Sequence, residues 1–206
     1  YRELWKHIGK KMPKKGRGAN ALVNPKALPV ELQTAMEALY GHYEKTSEIW
    51  DQSNVGVPPC FIIVCNNTAS SKLVYDFVSG FTRTNADGDE EPIPGRFELF
   101  RNYDEHGNPL SRPRTLLVDS AQLESGEGLD QTFLKAASDE IELFKRDRRV
   151  RMNNVDAADK ISPEELLREV LNTVGKKGKL GESIRCVVSV SMLTEGWDAN
   201  TVTHVL

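Results

Sequence analysis

The fold class is decided by the stretch Phe61-Ile62-Ile63-Val64-Cys65-Asn66-Asn67-Thr68. Five consecutive apolar residues are typical of a strand that is buried on both faces of a parallel sheet. The polar residues after them offer a turn and a helix N-cap. The next apolar residues recur at helical spacing, at Leu73, Val74, Phe77 and Val78. Strand, polar turn and helix make half of a βαβ unit, so this stretch predicts an α/β fold.

The same alternation of strands and helices continues downstream. Further strands are predicted over residues 115–118, 184–190 and 202–206. One helix is predicted from Leu134 through the basic run 145–149, and another after the capping box Ser162-Pro163-Glu164-Glu165. This order requires a mostly parallel sheet with helices on both faces. Ligands of such sheets bind at the carboxyl ends of the strands.

Two regions depart from this alternation. Residues 1–56 are predicted to form a connector, with little periodicity up to residue 24, and then a helix over 29–50. Residues 57–206 form the main domain, which carries an insertion at 81–112. Residues 96–100 alternate like an exposed strand, and with the turn signals on both sides they predict a β-hairpin in the insertion. The string Asp104-Glu105-His106-Gly107 has the residue types of a metal-binding acidic box but is interpreted as a hairpin tip, because it leads into Asn108-Pro109.

Composition is that of an ordinary globular protein. Of the 206 residues, 39% are hydrophobic and 28% are charged, and the formal net charge is −3. The apolar runs are far too short to span a bilayer, and no signal peptide is evident. Because the sequence begins at Tyr1, a piece of a longer chain is predicted. The cysteines Cys60, Cys65 and Cys186 form no CxxC pair. We therefore predict a cytoplasmic protein without a bound metal.

The most specific pattern comes after the late strand. It reads Ser191-Met192-Leu193-Thr194-Glu195-Gly196-Trp197-Asp198. Small hydroxyl residues after a strand bring hydroxyl and N–H groups to a phosphate, Gly196 permits close backbone approach, and Asp198 places a carboxylate beside a nucleotide. This segment resembles motif V of superfamily 2 helicases and translocases, in the form typical of the restriction (Res) subunit of type III restriction enzymes. The competing interpretation is an ordinary strand-to-helix turn.

Two other stretches are similar to the same family. Residues 61–71 resemble motif IV, and residues 116–127 resemble a stretch of Res subunits, so the resemblance covers roughly residues 57–206. It implies a second RecA-like motor domain with a three-layer α/β fold. The residues that it implies for contact with the DNA backbone are Asn66, Asn67, Thr68, Ser191 and Thr194, although Asn66, Asn67 and Thr68 are equally explained as an N-cap. Those that it implies for ATP binding are Glu195, Gly196 and Asp198.

The resemblance also implies what the chain needs in order to act. The parent is expected to be an ATP-dependent hydrolase that uses ATP and Mg²⁺ and acts on DNA. Its partners would be a first motor domain and a nuclease domain of the same chain, and a DNA-methyltransferase (Mod) subunit. Phosphoryl transfer requires a lysine loop, a Mg²⁺ carboxylate and an arginine finger. The sequence has no GxxxxGK[ST] loop, and the arginine-rich motif VI is expected beyond Leu206. The chain alone is therefore predicted to have no catalytic residue, no bound cofactor and no activity.

Other functions remain open on the residues alone. An alternative parent is a type I restriction enzyme or a repair helicase, since the excision-repair helicase subunit has a similar motif. A noncatalytic doubly wound module that binds a small ligand or a protein is the alternative from another class. Three basic runs, at residues 10–17, 145–151 and 176–179, are interpreted either as parts of a DNA path or as solvated faces.

Overall fold

The computed structural model describes residues 3–12, 28–85, 87–118, 129, 131–152, 160–190 and 201–206. The helices in these ranges are α1 (Leu4–Ile8), α2 (Val30–Gln52), α3 (Thr68–Ser79), α4 (Gln131–Ala136), α5 (Ser138–Met152) and α6 (Pro163–Asn172). The strands are β1 (Cys60–Cys65), β2 (Gly80–Thr84), β3 (Glu90–Pro94), β4 (Thr115–Val118), β5 (Cys186–Val190) and β6 (Val202–Val205). A 3-10 helix spans Glu98–Phe100.

The main sheet has the strand order β4-β5-β1-β6, and all of its neighbouring strands are parallel. Phe61 lies opposite Cys186 and Cys65 opposite Val190, so β1 and β5 end together. On the other side of β5, Thr115 of β4 lies opposite Cys186. The strands predicted from apolar runs are therefore confirmed, and each pairs with parallel neighbours only.

Alternate residues of β1 belong to opposite layers of the molecule. Phe61 and Ile63 lie in a cluster with α1, α2 and α3, whereas Cys60 and Ile62 lie in a second cluster with α4 and α6. Since successive side chains of a strand point to opposite faces, the sheet is covered on both sides. The predicted α/β class, with helices on both faces of a parallel sheet, is confirmed and is consistent with a RecA-like fold.

The predicted helix over 29–50 is confirmed as α2, but the preceding connector is not without structure. Residues 4–8 form α1, and Ile8 and Met12 are buried in the same cluster as α2. Leu4 and Ile8 are four residues apart, which places them on one side of α1, and Met12 follows in the turn after it. The few apolar residues of this segment are separated by lysines and a glycine, so their helical spacing is hard to recognise in the sequence. Both helices share one hydrophobic cluster with the sheet.

The insertion contains the predicted β-hairpin, but residues 96–100 are not one of its strands. β2 and β3 pair in antiparallel register, from Gly80 opposite Pro94 to Thr84 opposite Glu90. The expectation that residues 96–100 form an exposed strand is wrong. They include a 3-10 helix, and Phe97 and Phe100 are 4% and 1% exposed. Residues three apart lie on the same side of a 3-10 helix, so both rings enter the core.

The helix predicted from Leu134 onward is two helices, α4 and α5, that meet at Ala137. The Arg112 guanidinium donates a hydrogen bond of 2.8 Å to the carbonyl oxygen of Ala136 and one of 2.7 Å to Glu140. A carbonyl that accepts from a side chain competes with the helical hydrogen-bond ladder. Burial is the largest single influence and raises the pKa of Glu140, but the hydrogen bond from Arg112, a backbone hydrogen bond and the charge of Arg112 together outweigh it, so the pKa is lowered.

The capping box at the start of α6 is confirmed in full. The hydroxyl oxygen of Ser162 accepts from the Glu165 amide at 3.1 Å, and the Glu165 carboxylate accepts from the Ser162 amide at 2.9 Å. Pro163 occupies the first turn, where its missing N–H costs nothing. Arg148 of α5 pairs with the same carboxylate at 2.7 Å, which ties two helices of one layer together.

A pair of histidines joins β6 to α2. His204 is 5% exposed, and its Nε2 lies 2.7 Å from Nδ1 of His42, while Phe61 stacks on its ring with a centroid distance of 5.6 Å. Burial first, and the neighbouring His42 second, lower the pKa of His204 below its ordinary value. The folded state therefore favours the neutral imidazole.

We expect this histidine to make stability depend on pH. The unfolded chain takes up a proton on His204 near its ordinary pKa of about 6.5 and the folded chain only at lower pH, so stability is complete above that value and is lost as the pH falls. The loss should reach at most about 1.4 kcal/mol per pH unit. Urea unfolding at about pH 7 and pH 5.5 measures it. His204→Gln should flatten the profile, whereas His106→Gln, in an exposed turn, should not. An unchanged profile in His204→Gln would contradict the assignment.

Candidate functional site

The carboxyl edge of the sheet is the place where two of the predicted site segments leave their strands. Cys65, at the end of β1, lies opposite Val190, at the end of β5. Asn66 comes directly after Cys65, and Ser191 comes directly after Val190 in the sequence. The C-terminal ends of neighbouring parallel strands lie at one edge of a sheet. The structure thus brings the ends of the two strands side by side.

The N-terminus of α3 is built from the predicted residues Asn66, Asn67 and Thr68. The Asn67 side-chain oxygen accepts from the Ser70 amide at 2.9 Å, and its Nδ2 donates to the Asn66 side-chain oxygen at 2.9 Å. Asn67 is 6% exposed, whereas Asn66 and Thr68 are exposed. The N-cap interpretation is therefore confirmed for Asn67. Asn66 and Thr68 are the two members of the trio whose side chains are available to a ligand.

The segment that resembles motif V falls outside the described residues. This applies to Ser191, Thr194, Glu195, Gly196 and Asp198, and residues 119–127 of the second similar stretch lie outside them as well. The described residues on its two sides are Val190, at the carboxyl end of β5, and Thr201, whose carbonyl accepts from the Cys60 amide at 2.8 Å. Cys60 is the first residue of β1, so Thr201 lies at the opposite, amino edge of the sheet.

Two strings that imitate helicase motifs are turns. The Gly/Lys-rich segment 175–181 has the composition of a phosphate loop, but it comes after α6 and before β5, whereas a phosphate loop comes after a strand and opens a helix. Asp104 accepts from the amides of His106 at 2.9 Å and Asn108 at 2.8 Å, and Tyr103 bridges to Pro109. These hydrogen bonds hold a tight turn, and backbone hydrogen bonding first of all lowers the pKa of Asp104. The hairpin-tip interpretation is confirmed.

The basic runs are partly neutralised within the chain. Lys11 pairs with Glu31 at 2.7 Å and Lys145 with Glu142 at 2.6 Å. Lys179 lies 3.3 Å from Asp147, which places the 176–179 turn beside α5. Two runs that are far apart in the sequence thus share one surface. Exposed pairs of this kind contribute little stability, and their lysines remain available to a polyanion.

A cleft at the amino edge of the sheet was not predicted. Its polar lining is Ser47, Ser111, Arg112, Arg114, Ser183 and Arg185, and its volume is about 460 Å³. We call it the arginine cleft. Arg114 and Arg185 immediately precede β4 and β5. The sequence signal was an arginine just before each of two apolar strands, but only the strand order makes them neighbours.

Comparisons with protein-family models, with curated proteins and with solved structures found no match to this chain.

The buried cysteines are part of the hydrophobic core. Cys60 and Cys186 are buried on neighbouring strands, and burial raises the pKa of the Cys60 thiol to about 12. Such thiols are poor nucleophiles and poor metal ligands. Among the described residues no group of three or more His, Cys, Asp or Glu side chains is placed to hold a metal ion. No helix in the described part of the chain is long and apolar enough to cross a membrane.

Proposed function

We propose that this chain is the second motor domain of an ATP-dependent DNA translocase similar to the Res subunit of type III restriction enzymes. The observation that supports it is the pairing of β1 with β5, which end together at Cys65 and Val190. The two segments that resemble motifs IV and V therefore start from adjacent strands at one edge. Had the strands been separated or antiparallel, the two segments could not have served one site.

The DNA-binding part of the proposal rests on the N-terminus of α3. Thr68 and Ala69 occupy the first two helical positions, and their amides have no hydrogen-bond partner among the described residues. Free N–H groups and the positive end of the helix dipole favour a phosphate, and the exposed side chains of Asn66 and Thr68 add a carboxamide and a hydroxyl. Ser191 and Thr194 would add hydroxyls from the neighbouring strand. Contacts of this type hold the nucleic-acid backbone independently of base sequence, as a translocase requires.

The nucleotide part of the proposal concerns Glu195, Gly196 and Asp198, which would face ATP and Mg²⁺ held mainly by a first motor domain. This chain would supply half of the cleft and no phosphate loop. ATP hydrolysis would therefore need both motor domains, since phosphoryl transfer depends on groups gathered from all sides of one nucleotide. In the complete enzyme the nuclease domain and a Mod subunit would supply cleavage and sequence recognition.

DNA binding by the chain tests the proposal directly. Fluorescence anisotropy with labelled single-stranded and duplex oligonucleotides should show salt-dependent binding. Ser191→Ala combined with Thr194→Val is expected to weaken it about tenfold, because two hydrogen bonds to phosphate are lost. The slope of log affinity against log salt should stay unchanged, because no cation is removed. Asn66→Ala should weaken binding about threefold in the same way.

The matched control is Thr84→Val, which removes an exposed hydroxyl from the β2–β3 hairpin and should leave DNA affinity unchanged. Absence of DNA binding, or equal affinity in the Ser191 and Thr194 variant and in the control, would favour a noncatalytic binding module. The nucleotide assignment has its own measurement. When the chain is joined to a first motor domain that carries a phosphate loop, Asp198→Ala should abolish DNA-stimulated ATPase, whereas Asp87→Ala in the exposed hairpin turn should not.

A further inference from the structure

The arginine cleft contains two like charges that face each other across neighbouring strands. Arg114 and Arg185 come directly before Thr115 and Cys186, the first paired residues of β4 and β5, and both line the cleft. Backbone hydrogen bonds hold the two segments together, because the Arg114 carbonyl accepts from the amides of Arg185 at 2.7 Å and of Cys186 at 3.0 Å. The charge of Arg114 is close enough to act on Arg185, and like charges at short range repel.

Neither arginine forms a salt bridge with an acidic side chain among the described residues. Arg185 is half-buried, and its Nη1 donates only to the carbonyl oxygens of Glu182 at 2.6 Å and Ile184 at 3.0 Å. Arg114 makes one long hydrogen bond of 3.3 Å to the Glu98 carbonyl oxygen. Arg112 differs, since its charge is neutralised by Glu140. Burial first and the charge of Arg114 lower the pKa of Arg185, and this outweighs the opposite effect of Tyr43 and of the carboxylates of Glu182 and Asp51, with which Arg185 forms no salt bridge. A partly desolvated guanidinium without a salt bridge is costly in the absence of an anion.

The remaining lining suits an anion that carries an organic group. The hydroxyls of Ser47 and Ser111 line the cleft and have no hydrogen-bond partner among the described residues. Two guanidinium groups and two hydroxyls offer more donors than a carboxylate has room for, and they match the three terminal oxygens of a phosphate monoester. Leu99 and Leu110 add an apolar wall, and about 460 Å³ lies in the range of small-molecule sites.

We propose that the arginine cleft binds a small organic phosphate monoester, with Arg114 and Arg185 holding the phosphate group between them. The site lies at the amino edge of the sheet, opposite the carboxyl edge to which DNA and ATP are assigned above. It therefore does not depend on the proposed motor function. Ser47 of α2 and Ser111 before β4 complete the donor set from two sides.

Isothermal titration calorimetry with ribose 5-phosphate tests the proposal, and inorganic phosphate shows how much the organic part adds. Ribose 5-phosphate should bind more tightly than inorganic phosphate. Arg185→Gln and Arg114→Gln should each weaken binding about tenfold or more, since a charge-assisted hydrogen bond is lost. Arg83→Gln is the control, because Arg83 pairs with Glu91 on the distant hairpin and its loss should leave binding unchanged.

Thermal unfolding without ligand gives a second readout. Because Arg114 is exposed and repels Arg185, Arg114→Gln should raise the melting temperature by about 1–2 °C while it weakens phosphate binding. Failure of ribose 5-phosphate to bind, binding no tighter than inorganic phosphate, or equal binding by wild type and both glutamine variants would overturn the proposal. Loss of oligonucleotide affinity in these variants, with no ribose 5-phosphate binding, would assign the cleft to nucleic acid instead.

Discussion

Phe100→Ala is expected to lower the free energy of unfolding by about 3–5 kcal/mol. Phe100 is 1% exposed, and its ring contacts those of Tyr40, Tyr43 and Phe61 at centroid distances of 5.1, 4.8 and 5.5 Å. Removing the ring leaves a cavity between the insertion, α2 and β1, which their backbones cannot close. Unfolding in guanidinium chloride, followed by circular dichroism, measures the change. An unchanged slope m of the unfolding free energy against denaturant concentration would show that unfolding is still two-state.

The control for Phe100 is Val150→Ala on α5, where the side chain is 80% exposed. It should change the free energy of unfolding by no more than about 0.5 kcal/mol. If Phe100→Ala were as mild as this control, the 3-10 helix would be an appendage of the sheet and not part of its core. The comparison therefore decides whether the insertion belongs to the cooperative unit.

Asn102→Ala is expected to destabilise the protein by about 2–4 kcal/mol through hydrogen bonds alone. The Asn102 side-chain oxygen accepts from the amides of Arg114 and Thr115 at 2.8 and 2.9 Å. Its Nδ2 donates to the Thr115 carbonyl oxygen and to the Tyr75 hydroxyl, both at 2.9 Å. These bonds take the place of the backbone hydrogen bonds that a neighbouring strand would make with the start of β4. Alanine would leave these buried backbone groups without partners, which costs more than a lost surface hydrogen bond.

Asn108→Ala provides the matched comparison, because Asn108 is an exposed asparagine in the Asp104 turn. Its cost should stay below about 1 kcal/mol. Urea unfolding of both variants measures the difference. A small effect of Asn102→Ala would mean that water replaces the side chain at β4. A large effect should be accompanied by weaker ribose 5-phosphate binding, since Asn102 positions the backbone of Arg114.

The parts of the fold that could be predicted are those in which local chemistry decides the structure. The capping box at Ser162 and Glu165 needs only residues three apart, and β1 is recognised by five apolar residues in succession. The helix cap at Asn67 is equally local. At the carboxyl edge, the sequence could indicate that Asn66 and Thr68 come after a strand, because strand and turn are neighbours along the chain.

The features that the sequence could not indicate depend on contacts between distant segments. The alternation at 96–100 suggested a strand, but the rings of Tyr40 and Phe61 attract Phe97 and Phe100 to the interior. The partition of one helix into α4 and α5 depends on Arg112, which comes from before β4. The arginine cleft depends on strand order, and no local pattern around Arg114 indicates Arg185. Tertiary context overrides local pattern at these positions.

The strand order has a consequence for how the protein forms during synthesis. β1 ends at Cys65, and its only partners in the described sheet are β5, which begins at Cys186, and β6, which comes later still. β4 also pairs with β5 alone. During synthesis the apolar segments of β1 and β4 therefore leave the ribosome long before β5, the strand with which both of them pair. Their apolar side chains stay exposed until β5 is made and joins them, and β6 then completes the described sheet.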